Sequence, residues 1–431
     1  MQKFVIKNGT FVTCDENMTV IHGSMLVEGD RILEISDKDI EVDPHTTVVN
    51  GKGKCYLPGL VNTHTHAAMS LLRGFADDDP LQVWLEQKMW PNEAKFTAHD
   101  VKYGSLLSIV EMLKSGTTAF VDMYDHMDEV AQAVEQAGMR GCLARGIIAF
   151  GPDEVGEAKL QEAAQFVKNW HNKADGRITT MMSPHSPYTC PPAFIEKVVA
   201  KSLELNVPIH THMSETLKEV LQNEEQYGKR PVAHLQSLGM FERPCLVAHA
   251  VHVNEEEMDI LAQYDVRVSH NPISNLKLAS GVAPVPAMLS KDVKVSLGTD
   301  SSASNNNLNL FEEIRQVALL HKGVSGDPTV IPAEKALKLG TVDGAKSIWL
   351  KDVGALQAGM KADFIAVDID QPHFYPRTDI VSHLVYAATG QDVRDVWVDG
   401  KQIVKNREML TLDEEKIMYE VQQCYERLMN D

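Results

Sequence analysis

Leu57-Pro58-Gly59-Leu60-Val61-Asn62-Thr63-His64-Thr65-His66 reads as a short apolar strand that ends in two histidines two positions apart. Alternate side chains of a strand share a face, so His64 and His66 project together while Thr63 and Thr65 face the other way. Neutral imidazoles are common ligands for zinc and similar ions. An isolated His-x-His also fits two polar residues leaving a strand for a loop. The ligand reading gains weight because further candidate ligands end other strands downstream.

Before this stretch, Phe4 to about Tyr56 looks all-β, with apolar alternation at Phe4 and Ile6 and at Met25 and Val27, and with Asn8-Gly9 and Gly29-Asp30 as hairpin turns. After it the period changes. Leu106, Leu107, Val110 and Leu113 space one buried face of a helix over His99 to Ser115, which Gly116 stops. Strands then alternate with helices as far as Asp300: eight strands from Leu57 to Asp300, the fold signature of a parallel (β/α)8 barrel. A helix is predicted over about Pro332 to Ala345. Strands return at Ala362 to Val367 and Val393 to Val404, with an Asp399-Gly400 turn, and a last helix runs from about Leu412 to Met429. The expected organisation is an α/β fold. Residues 1–57 form the N-terminal part of a small β-sandwich, 58–350 the barrel, and 351–431 the C-terminal part of the sandwich plus a terminal helix.

Composition bounds the function. The chain has 431 residues, 44% hydrophobic and 23% charged, ordinary values for a globular protein. A net charge of −19 leaves no basic stripe to meet phosphates, which argues against nucleic acid as a partner. The six cysteines are scattered singly, so a reducing compartment and a cytoplasmic location are expected. Met1 to Lys7 lacks the apolar core of a signal peptide, and no run is long enough to span a membrane.

A (β/α)8 barrel carries its active site at the C-terminal strand ends. There the sequence places His64, His66, Asp122, Arg145, His185, His212, His249, His270 and Asp300. Random placement of 17 histidines would not put them at five strand ends of eight. Three nitrogens and one carboxylate suit a zinc-like ion with an open position for water. On strand five, His210 and His212 share a face, but His210 sits about 6.5 Å deeper. His212 is therefore the ligand, and His210 a hydrogen-bonded barrel histidine. Glu215, three residues on, is a candidate proton shuttle, against the plainer role of a helix N-terminal glutamate. Strand four, Arg177 to His185, has no lysine to bridge two metals, so one metal is expected, with His249 polarising its water. Asp300 reads as ligand and base rather than as a cap on the following helix.

The pattern resembles the amidohydrolase superfamily. The likeness lies in Pro58 to His66, His212-Met213-Ser214-Glu215, His249, Gly298-Thr299-Asp300 and Gly354 to Asp363, and spans essentially the whole chain. Trp90-Pro91-Asn92-Glu93, Ser183 to Tyr188, Ser269 to Asn275 and Asp300 to Asn309 are most similar to the 5′-methylthioadenosine/S-adenosylhomocysteine deaminases of its mononuclear deaminase and chlorohydrolase branch. The resemblance implies metal ligands at His64, His66, His212 and Asp300. It implies catalytic roles for Glu215, His249 and Asp300, and substrate contacts at Glu93 (ribose hydroxyls), Arg145, His185 and Glu215. It implies one divalent ion per chain, zinc first and iron(II) or manganese(II) as alternatives, and a nucleoside substrate; a homo-oligomer is a common arrangement, but no interface is legible in the sequence. In the implied hydrolytic deamination Asp300 takes the water's proton, Glu215 protonates purine N1 and His249 stabilises the oxygen charge. Some relatives carry a second arginine in the loop after Arg145. None occurs here between Gly146 and Gly176, which leaves the homocysteine end without an assigned partner. Trp84, Trp90 and Phe75 are candidates to stack on the purine, with core packing the favoured role for any single one, and Met69 and Leu72 fit a thioether slot or core packing equally.

Three other readings stand beside this one. They are a deaminase or dehalogenase of the same branch acting on guanine, cytosine or an s-triazine, a two-metal cyclic-amide hydrolase, and a catalytically silent scaffold barrel.

Overall fold

The computed structural model describes residues 3–430 except 150 and 152; Met1, Gln2 and Asp431, which the sequence reading assigned to the terminal segments, lie outside the described residues. Eight parallel strands form one sheet in chain order: Leu60–Thr65, Thr117–Tyr124, Arg140–Ile147, Ile178–Pro184, Ile209–Met213, Cys245–His249, Arg267–His270 and Lys294–Leu297. Helices between them cover the outside, each ended by its own sequence. Thr97 and Asp100 build a reciprocal capping box at the start of Ala98–Lys114. Met127–Ala137 buries Val130, Ala131 and Val134 and stops at Gly138, whose φ of 78° is left-handed.

Strand eight and strand one are joined by side chains where the ladder stops. Asn62 donates to Thr299 Oγ1 (2.7 Å) and accepts from Thr299 N (3.0 Å). Thr63 Oγ1 donates to Leu297 O (3.0 Å) and lies 2.7 Å from Ser269 Oγ. Asp300 N closes on His64 O at 3.0 Å. Gly298 permits this approach, since a Cβ there would lie 2.4 Å from Asn271 Oδ1 and 2.9 Å from His64 Cβ. Strand one also carries a bulge, because Asn62 pairs with Phe120 but Thr65 pairs with Asp122. One extra residue re-aims the strand end next to the site.

The two chain ends meet in a second, nine-stranded sheet, in which Lys54–Pro58 lies between Lys3–Val12 and the C-terminal Phe364–Asp368. It curls over an aromatic core: Phe364 stacks on Trp397 at 4.6 Å between centroids, and Phe4 from the other end lies 6.4 Å from Trp397. The helix predicted over Pro332 to Ala345 is two, Ala333–Leu339 and Val342–Ser347. The cause is tertiary: the Gly340 carbonyl accepts Val61 N (2.9 Å) from strand one, so the chain breaks there to dock. The terminal helix Glu414–Asn430 lies against Ala98–Lys114, tied by Lys114 to Glu414 (2.5 Å) and by Arg427 to Asp100. All six cysteines are free and buried. No helix of the described residues is long and apolar enough to cross a membrane.

Candidate metal centre and substrate cavity

Three histidines meet at the barrel mouth, and their protons can be placed from their partners. A carbonyl oxygen only accepts, so a ring nitrogen bonded to one must carry hydrogen. His66 Nδ1 donates to Met123 O (2.6 Å), and His212 Nδ1 donates to His185 O (2.7 Å). His210 Nδ1 donates to Leu246 O (2.9 Å), which leaves His210 Nε2 bare in the neutral ring. His64 Nδ1, 2.9 Å away, must donate to it. His210 is thus the buried relay expected from its depth, and it fixes the His64 tautomer.

The three Nε2 atoms are left as lone pairs pointing at one another. His66 Nε2 and His212 Nε2 lie 3.2 Å apart with no proton to share. Asp300 Oδ1 is 3.5 Å from both His64 Nε2 and His66 Nε2, while its Oδ2 is held by Ser274 (2.6 Å) and Ser304 (3.0 Å). Asp300 is not a helix cap, because Ser301 caps the short helix Ser302–Asn305. Burial opposes ionisation of Asp300, while the hydroxyls of Ser274 and Ser304, donating to Oδ2, favour the carboxylate. Burial likewise keeps His64 and His212 neutral. A carboxylate facing imidazole Nε2 atoms is a donor set of the kind that holds a divalent cation. In four-coordinate zinc sites, with ligands at about 2.0–2.1 Å, neighbouring ligand atoms lie about 3.3 Å apart. The separations of 3.2 Å between His66 and His212 and 3.5 Å from Asp300 to His64 and to His66 are close to this, and His64 Nε2 is buried without a hydrogen-bond partner among the described residues.

The mouth opens into a cavity of about 480 Å³. Glu215, Glu93, Arg145, His185 and His249 all reach it. His249 Nδ1 bonds Asn275 Oδ1 (2.8 Å), turning its Nε2 towards Glu215 Oε2 at 3.7 Å. Burial works to lower the His249 value, but the Glu215 and Asp300 charges outweigh it and raise it. Burial raises Glu215; His249 opposes this and the Asp300 charge adds to it. Two neighbouring carboxyls are thereby pushed apart, Asp300 towards a base and Glu215 towards an acid.

Amidohydrolase is the family whose description matches residues 55–403. A 5-methylthioadenosine/S-adenosylhomocysteine deaminase of Dictyoglomus turgidum is 54% identical over 400 residues, 93% of this chain and 93% of that one. The chain belongs to the amidohydrolase family. A 5′-deoxyadenosine deaminase of Methanosarcina acetivorans is 47% identical over 430 residues, 100% of this chain and 99% of that one. The structure of an adenosine deaminase from Xanthomonas campestris with bound zinc superposes with a TM-score of 0.92 at 33% identity, covering 100% of this chain and 99% of that one.

Several side chains of this amidohydrolase differ from their sequence reading. Glu93 lies in a helical turn, Trp90–Glu93, where a loop is expected, because Pro91 sits in its first turn. Tyr124 OH donates to Glu93 Oε1 (2.5 Å), and burial raises the Glu93 value. Arg145 lines the cavity, but Asp125 (3.0 Å) and Glu162 (3.1 Å) already hold its guanidinium. Burial pushes His185 down to about 3, so it is neutral, with hydroxyls of Ser186 and Thr189 at its Nδ1. Met69, Trp84 and Trp90 line the cavity, whereas Leu72 and Phe75 pack into the core. Asp122 stays off the cavity, accepting Ala67 N (2.7 Å) and Thr65 Oγ1 (2.8 Å) on either side of His66.

Tyr124 and Lys159 were not singled out from the sequence, and Ser274, Asn275 and Ser304 lay in family-like stretches with no role of their own. Lys159 lies on the helix Asp153–Trp170 and reaches the cavity, where its Nζ bonds only Ile148 O (3.0 Å). No carboxylate pairs with it among the described residues.

Proposed function

We propose that the protein hydrolytically deaminates adenosine thioethers, converting S-adenosylhomocysteine to S-inosylhomocysteine and 5′-methylthioadenosine to 5′-methylthioinosine with release of ammonia. The observation that carries this reading is the arrangement at the mouth: Asp300 beside the imidazoles of His64 and His66, His212 against His66, and Glu215 beside His249 on the same cavity. It is joined by likeness, over nearly the full chain, to proteins named as deaminases of such nucleosides.

His64, His66, His212 and Asp300 would hold one divalent ion, with zinc first and iron(II) or manganese(II) as alternatives. Bound there, the ion supplies Lewis acidity and makes water ionisable near neutral pH. Asp300 accepts the proton of the attacking water. Glu215 delivers a proton to purine N1 as oxygen adds at C6, so that negative charge does not build on the ring. His249, turned by Asn275, donates from Nε2 to the developing oxygen charge. Asp300 then returns its proton to the leaving amine, and the proton of the C6 hydroxyl passes back to Glu215 as the carbonyl forms and ammonia departs. Glu93, its Oε1 occupied by Tyr124, offers Oε2 to the ribose hydroxyls. His185, neutral at the cavity wall, contacts the purine. Lys159 supplies the uncompensated positive charge for a carboxylate at the far end of the substrate, a role that Arg145, already paired, shares only in part.

The test is an ammonia-release assay of metal-replete protein over S-adenosylhomocysteine, 5′-methylthioadenosine, adenosine, guanine and cytosine. The two thioethers should give the highest kcat/KM. An unchanged absorbance with every adenosine compound would end the deaminase reading, and a preference for guanine or cytosine would move it to another member of the branch.

A further inference from the structure

The turn that carries Glu215 is strained, and a second carboxylate holds it. After strand five the chain passes through Ser214 at φ 53°, a left-handed value for a non-glycine residue. The neighbouring turn after strand six holds His249 at φ 77° and Ala250 at φ 48°. Three such residues in two touching turns persist only where the surroundings over-determine them. The turns hold each other by their carbonyls: Ala250 N donates to Met213 O (3.0 Å) and His252 N to Ser214 O (2.9 Å).

The amides of the same turn point the other way, into Glu219. Glu219 Oε1 accepts Ser214 N and Oε2 accepts Glu215 N, each at 2.8 Å. The side chain is 3% exposed. Thr216 caps the helix Leu217–Tyr227 by accepting Glu219 N (3.2 Å), so Glu219 occupies the third helical position. In an ordinary capping box an acid there reaches back to the amide of the cap residue itself. Here it overshoots the cap and grips the two residues before it, one of which is Glu215. A cap alone does not require this geometry.

We infer that Glu219 is a positioning residue for the deamination, clamping the Ser214 and Glu215 amides so that the Glu215 carboxyl stays beside His249. This rests on the reading of Glu215 as the proton donor. A carboxylate serves both amides because both of its oxygens accept; a glutamine offers one acceptor and sets an NH2 group against the other amide.

The experiment compares E219Q, E219D and T216A with wild type in steady-state deamination of S-adenosylhomocysteine, with metal content and melting temperature on the same samples. E219Q should retain its metal and keep KM within about 3-fold. Its kcat should fall about 100-fold, the loss expected for a displacement of about 1 Å at the reacting group. E219D keeps two acceptors but withdraws them by one methylene, so its kcat should fall less, at unchanged metal content. T216A removes the cap without touching the two amides and should lower the melting temperature with kcat retained. Wild-type kcat per folded molecule in E219Q, with only a lower melting temperature, would overturn the inference. If E219Q does not fold, E219D carries the test, and wild-type kcat in E219D overturns it. Wild-type protein that releases no ammonia would instead defeat the deaminase reading, which separates the two failures.

Discussion

The two ends of the barrel treat buried charge in opposite ways. At the floor, where strand three begins, Arg140 is 4% exposed and donates to both oxygens of Asp363 (2.5 and 2.9 Å) and to Asp399, while Lys361 lies 3.1 Å from Asp399. Every charge there has a protein counter-charge, and the cluster bolts the terminal sheet to the barrel. At the mouth, Asp300 is 5% exposed and Glu215 6%, and neither has a lysine or arginine partner among the described residues. Burying a carboxylate without a counter-charge costs several kcal/mol. The floor thus pairs its charges within the protein, whereas the mouth presents its two carboxyls to the cavity.

The largest expected effect lies at the mouth. Asp300→Ala should lower kcat by about 10⁴-fold, and Glu215→Gln, which retains the metal ligands, by about 10²–10⁴-fold at unchanged metal content. Steady-state assays with metal analysis separate the two, and Asp300→Ala with a retained rate would remove it from the mechanism. At the floor the same kind of change should register as stability. Arg140→Met leaves buried Asp363 without its counter-charge and Asp399 with Lys361 alone, and should cost about 3–5 kcal/mol in denaturant unfolding, with kcat per folded molecule preserved. If Arg140→Met instead cut kcat at unchanged stability, the contrast between the ends would be broken.

Lys159→Met should sharpen the picture of the mouth. Loss of one charged hydrogen bond predicts about a 10-fold fall in kcat/KM for S-adenosylhomocysteine, and none for 5′-methylthioadenosine, which has no carboxylate. The smallest effect belongs to the terminal helix. Burial of Asp100 opposes its ionisation, but hydrogen bonds from Arg427 and Thr97 prevail and depress its value. A depressed folded-state value stabilises the fold above the unfolded value of about 3.9, and this is lost as pH falls through the folded value. Asp100→Asn should therefore cost about 1–2 kcal/mol near neutrality, and the gap from wild type should close in acid, as thermal melts would read out.

The barrel was legible because its signals are periodic and local: alternating strands and helices, a glycine stop after Lys114, histidines at strand ends. The convergence of His64, His66, His212 and Asp300 was legible for the same reason, since each lies at or just past the C-terminal end of a strand. What escaped depends on partners distant in sequence. The break at Gly340 exists to meet Val61, the bulge in strand one shows only in its pairing with Phe120 and Asp122, and Asn275 matters only because His249 faces it. Lys159 carried no signal, being one lysine on an ordinary amphipathic helix. Glu93 was found by likeness, but its helical turn and its tie to Tyr124 needed coordinates.

The most direct measurement is to remove metal stepwise from one preparation and follow ammonia release from S-adenosylhomocysteine against divalent ions counted per chain. Activity should rise in proportion to metal and saturate at one equivalent. Full activity in metal-free protein, or saturation only at two equivalents, would contradict a single-cation deaminase built on His64, His66, His212 and Asp300.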